Sequence, residues 1–158
     1  TLLFKIKHFG ISTYVGRFNT FDATLSFDPD DASAGHLEAL IDVTSLDVNN
    51  PKFKKTLTGP GWFDTDAHPK AHFISTDINI TGDNSGIATG DLTLKGLTKP
   101  VNVKIIFNGG ARNPLTTRYT IGFDAKAEFK RSEFEMEKFT NVVGDTVVLE
   151  FYGEFQRQ

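Results

Sequence analysis

Cysteine is absent from the 158 residues, and tryptophan and methionine occur once each. Without cysteine there is no disulfide framework, no thiol nucleophile and no thiolate-bound metal. That absence leaves the compartment open. Positive charge is not in excess either: 17 Lys and Arg face 20 Asp and Glu, for a net charge of −3. Nucleic acid usually demands a basic face, so it is not expected as a partner. Long apolar runs are missing too. The most apolar stretches are broken every few residues by Lys or Glu, so no transmembrane segment is expected. There is no repeat, no low-complexity tract and no linker, and the length suits a single domain over residues 1–158. No signal peptide is visible at Thr1, but the chain opens on a strand-like run, as it would after removal of an export segment.

What the chain does have is phenylalanine: 15 residues, against three tyrosines. Phenylalanine brings a large apolar surface with no polar handle. These residues fall into a pattern of alternation, which is the signature of half-buried strands. Leu2, Phe4, Ile6 and His8 share one face, with Lys5 and Lys7 on the other. Phe21, Ala23, Leu25 and Phe27 follow, then Ala39, Ile41 and Val43, Leu92 and Leu94, and Val101, Val103, Ile105 and Phe107. Ile121, Phe123, Ala125, Ala127 and Phe129 come next, and Val147, Leu149, Phe151, Gly153 and Phe155 close the series. Turn signals separate the runs: Asp28-Pro29-Asp30-Asp31, residues 82–86, Gly109-Gly110 and Gly144-Asp145. Seven or eight such strands predict an all-β antiparallel barrel or sandwich.

Two short helical pieces are expected at an end of it. Asn50 is an N-cap before Pro51, and Phe53 and Leu57 stand four apart on one side. Residues 11–15 form a second apolar turn. The inward faces then make either a solid core or a cavity, because small residues beside Phe allow both.

Catalytic and metal signatures are weak. Asp64, Asp66 and His68 share a loop, but neither they nor Asp28, Asp30 and Asp31 fit an EF-hand, which needs a central Gly and a terminal Glu. The four histidines lack metalloprotease spacing. Residues 10–14 do not make a serine-hydrolase elbow. No metal, cofactor or catalytic residue is expected.

Five segments, in order, resemble the YceI-like family. They are FKIKHFGISTYVGRF at 4–18, IDVTSLDV at 41–48, GWFDTDAHPKAHFIST at 61–76, GDLTLKGLTKPV at 90–101, and GFDAKAEFKRSEF at 122–134 followed by VGDTVVLEF at 143–151. The resemblance implies an eight-stranded lipocalin-like barrel, periplasmic or secreted, that encloses a long-chain amphiphile and performs no catalysis. Associated ligands are polyisoprenoids, including prenylated quinones and polyprenyl diphosphates, and fatty acids or amides. The chain departs from the family in three places. The opening Asp-x-x-His-Ser element is missing. A loop that often carries an acid and a histidine has Lys52, Lys54 and Lys55, and Glu135 stands where a Gly is common.

On this reading the apolar tunnel is lined by Phe4, Ile6, Phe21, Ala23, Leu25, Ile41, Phe53, Leu57, Leu92, Leu94, Val103, Ile105, Ile121, Phe123, Leu149 and Phe151. The mouth that meets a head group is drawn from His8, Ser12, Arg17, Arg131 and Ser132, with the three helix lysines as further candidates. Phe53 and Leu57 are expected to face the ligand and the lysines water, which favours an uncharged head such as a quinone. Competing functions are an enzyme acting on a small apolar substrate and an interaction module of a larger secreted protein. A homodimer is compatible with either. Inward positions carry nothing titratable except His8, which counts against the enzyme.

Overall fold

The computed structural model describes residues 1–156 apart from Phe27 and Pro29; the expected inward position at 27 and part of the turn at 28–31 therefore lie outside the described residues. The strands are β1 (Leu2–His8), β2 (Ser12–Phe18), β3 (Phe21–Ser26), β4 (His36–Asp42), β5 (Leu46–Asp47), β6 (Lys70–Gly82), β7 (Ser85–Leu94), β8 (Leu97–Arg112), β9 (Tyr119–Lys130) and β10 (Val143–Gln156). One helix, α1 (Pro51–Thr58), lies between β5 and β6. All pairings are antiparallel, in the order β3-β4-β6-β7-β8-β9-β10-β1-β2-β5.

Ten strands replace the eight expected, and the reason is two bends. β3 resumes after β2 across Asn19 and Thr20, and β5 resumes after β4 across a 3-10 turn at Val43–Ser45. β2 pairs with β5 while β3 pairs with β4, so each bent pair acts as one strand in the ring. The bends are stitched together by Asn19 N–H donating to the Ser45 carbonyl (3.3 Å) and Asp42 N–H to the Thr20 carbonyl (3.0 Å). Counted that way, eight strands close on themselves. Closure removes the exposed edges an open sheet would leave.

Three local expectations are corrected. Residues 11–15 are not helical but belong mostly to β2, because Phe9 and Gly10 adopt φ of 53° and 70° and turn the chain straight back, pairing His8 with Ser12. Gly109-Gly110 is not a turn. It is a bulge inside β8, where the register slips between Phe107 and Gly109 and Gly109 takes φ 116°. Gly144-Asp145 likewise lies within β10, beside the irregularity between Ile6 and His8 of β1. The helix over 51–58 forms as read, with the Asn50 side chain accepting from Phe53 N–H at 3.0 Å.

Candidate functional site

Alternation along each strand sends one set of side chains inward, and these do not fill the barrel. Among the described residues they leave two large cavities, of about 380 and 530 Å³, both within the span of roughly 300–1,000 Å³ usual for ligand sites. The upper chamber is lined by Phe21, Ala23, Leu25, Val103, Ile105, Phe123, Ala125, Phe151 and Phe155, among others. The lower chamber is lined by Phe4, Ile6, Tyr14, Phe53, Leu57, Trp62, Leu94, Phe129 and neighbouring side chains. Ile41, Leu92 and Leu149 line both. They form the wall that the two chambers share.

The two chambers follow one another along β10. Its lining residues run from Phe155 and Phe151 through Leu149 to Val147 and Val143. At about 3.4 Å per residue that is roughly 40 Å of strand, or about 30 Å along the barrel axis at the usual strand tilt. Room of that shape suits a chain rather than a compact molecule.

Of the tunnel residues expected from sequence, only Ile121 lines neither chamber. It pairs with Phe155 in the β9–β10 ladder and with Gly110 of the bulged β8. Helix α1 closes the lower chamber as its spacing suggested: Phe53, Thr56 and Leu57 face in, Lys52 and Lys55 are exposed, and Lys54 is half-buried. An edge-to-face contact between Tyr14 and Phe53, 5.3 Å between centroids, ties the helix to β2.

The mouth residues are not brought together. Arg17 is on the outer surface, paired with Asp47 at 2.9 Å. Ser12 is exposed and its hydroxyl donates weakly to the His8 carbonyl at 3.4 Å. The Ser132 N–H and hydroxyl both donate to Asp145, at 2.9 and 2.8 Å. Arg131 does line the lower chamber, but it is almost fully buried and already occupied. Its Nε donates to the Gly144 carbonyl (3.0 Å), Nη1 to Met136, and Nη2 to Lys138 and Val143 (2.8 Å each). Burial lowers its pKa from the ordinary guanidinium value, against the pull of Asp145. These bonds fasten the β9–β10 connection across the barrel end.

His8 remains. It is exposed at the rim of the lower chamber, and its ring makes no hydrogen bond among the described residues. Trp62, a buried ring that carries one N–H donor, lines the same chamber, and sequence reasoning missed it. It lies in a loop without alternation, and only its being the sole tryptophan pointed to it. The upper chamber has its own polar rim at the β6–β7 turn, with Asp83, Asn84 and Ser85, also unforeseen. Among the described residues, no group of three or more His, Asp or Glu side chains could hold a metal ion, and no helix is long and apolar enough to cross a membrane.

Comparison with known proteins agrees with this architecture. The YceI-like domain model matches residues 1–155. A UPF0312 protein of Pseudomonas paraeruginosa is 37% identical over 131 residues, covering 83% of this chain and 68% of that one. The crystal structure of Burkholderia cenocepacia BcnA superposes with a TM-score of 0.88 at 30% identity, over 98% of this chain and 94% of that one. A polyisoprenoid binding domain from Saccharophagus degradans, implicated in plant cell wall breakdown, shares the fold (TM-score 0.71, 14% identity) over 99% and 93% of the two chains. The chain belongs to the YceI-like family.

Proposed function

We propose that the barrel binds the apolar tail of one long amphiphile, a polyisoprenoid, through both chambers and does not transform it. The observation that carries this is the pair of neighbouring apolar cavities that share Ile41, Leu92 and Leu149 as lining residues. At roughly 0.8 kcal/mol per buried CH₂, one prenyl unit contributes roughly 3–4 kcal/mol before ordering costs. Nanomolar binding needs about 12 kcal/mol, so a few units suffice. Fatty acids and amides fit the same walls, and apolar contact discriminates length better than chemistry.

A neutral head group, as in a prenylated quinone, is favoured over a diphosphate. Arg131 is saturated by carbonyls, while His8 and Trp62 offer single ring N–H groups suited to a quinone oxygen. The exposed lysines of α1 give an anionic head only a screened, modest attraction. Among the described residues no hydrogen bond or ion pair links an acid and a base that line the same chamber, which supports binding without catalysis. A secreted or periplasmic carrier is the role we assign.

The test titrates quinone and diphosphate ligands of equal tail length while following the fluorescence of Trp62. Tighter binding of the quinone than of the diphosphate, weakened several-fold by His8→Ala, is expected. A hundredfold advantage for the diphosphate that Lys54→Ala with Lys55→Ala abolishes would overturn the head-group assignment, and no binding of either would overturn the tail site.

A further inference from the structure

Three large apolar side chains stand out from the rim of the lower chamber: Phe9 is 60% exposed, Ile11 88% and Phe139 64%. They sit on two loops that are fastened to each other. Phe9 N–H donates to the Val142 carbonyl at 2.7 Å, and the N–H groups of Val142 and Val143 both donate to the Phe139 carbonyl, at 2.9 and 2.7 Å. Phe9 and Phe139 also hold φ of 53° and 57°. Bulky side chains adopt that left-handed conformation only at a cost. Here the cost is spent on holding two aromatic rings in water.

The exposed patch is continuous with the interior. Phe139 lines the lower chamber as well as facing out, and the Phe9 ring packs edge-on against His8, another lining residue, at 4.4 Å. The bordering segments are basic although the whole chain is acidic. Residues 7–13, 51–58 and 137–142 hold Lys7, Lys52, Lys54, Lys55 and Lys138 against Glu137 alone, with Glu133 and Glu135 in the turn before. Apolar side chains projecting beside lysine-rich segments suit an interface of acyl chains under anionic head groups. A second copy of the chain would set these lysines against their own kind.

We propose that this rim docks on an anionic lipid surface, with Phe9, Ile11 and Phe139 entering the acyl layer. The docking places the lower chamber against the bilayer, so that a tail passes between them beside Phe139 without crossing water. This last step rests on the tail-binding reading above.

The experiment measures co-sedimentation with phosphatidylcholine vesicles, with and without phosphatidylglycerol, at low and high salt. Phe9→Asn with Ile11→Ser is the main variant. Asn tolerates the left-handed backbone, both positions are exposed and neither lines a chamber, so the melting temperature should stay that of the wild type. Expected is preferential, salt-sensitive binding to the anionic vesicles that falls about tenfold or more in the variant. Lys52→Gln with Lys55→Gln should remove the preference for phosphatidylglycerol. A prenylated quinone delivered from ethanol should bind both variants as it binds the wild type. Vesicle binding unchanged by the Phe9 and Ile11 substitutions would overturn the docking. So would absence of vesicle binding together with a dimer that those substitutions dissociate. Docking that persists in a chain taking up no quinone would uphold the surface and overturn the reading of the interior.

Discussion

The guanidinium of Arg131 lies over the ring of Trp62, 5.3 Å from its centroid, so that the one tryptophan of the chain covers the most buried cation among the described residues. A charge so placed survives because four carbonyls receive its donors and an aromatic face offsets part of its lost hydration. The pair joins the loop after α1 to the β9–β10 connection, and both side chains line the lower chamber.

Arg131→Lys should therefore destabilise the fold by about 2–4 kcal/mol, since one ammonium cannot reach four carbonyls and each one abandoned costs free energy. Urea unfolding checks this: the midpoint should fall with little change in slope. An unchanged midpoint would mean that the carbonyls find other partners.

Asp145 gives this end of the barrel a pH dependence. Burial pushes its carboxyl up, but the hydrogen bonds from Ser132 and the neighbouring charges of Arg131 and Lys130 outweigh it and hold the group below its ordinary value. The ionised form is thus favoured in the folded state. Its stabilisation is complete above the unfolded value of about 3.9 and is lost as pH falls through the lower folded value. Asp145→Asn should be less stable than the wild type near neutrality, and the gap should narrow in acid. Thermal melts across that range measure it, and a gap independent of pH would show that ionisation of Asp145 contributes nothing.

Tail length should be set by the upper chamber. Ala125 lies opposite Ile105 and Phe151 in the two flanking ladders and faces the cavity. Ala125→Phe would occupy part of that space. We expect about a hundredfold weaker binding of a long prenyl tail, equivalent to three or four CH₂ groups expelled. A tail short enough for the lower chamber alone should bind within about threefold of the wild type. Equal losses for both lengths would show that the chambers do not act in series.

The barrel was legible because its strands bury one face each, and a period of two is hard to mimic. Every inward residue read on β1, β4, β8 and β10 kept its side. β2 was misread because Ile11 and Val15 look alike in a helical turn and in a strand, and the positive φ of Phe9 that forces a hairpin has no sequence signature. β6 carries no clean alternation in the sequence, since polar residues such as Asp77 and Asn79 interrupt its later half. The candidate site divided in the same manner. Walls follow strand parity, but which polar groups stay free depends on tertiary hydrogen bonding. Arg131 could not be known as spent until the carbonyls around it were seen, nor Trp62 as a chamber residue until its loop was placed.

The most direct test of a tail-binding interior is native mass spectrometry of the purified chain, followed by lipid extraction and challenge of emptied protein with a prenylated quinone. One amphiphile per chain, retained on isolation or taken up on challenge and recovered chemically unchanged, is the expected result. Protein that carries no lipid, takes up none, and gives the same Trp62 emission with and without the quinone would contradict it.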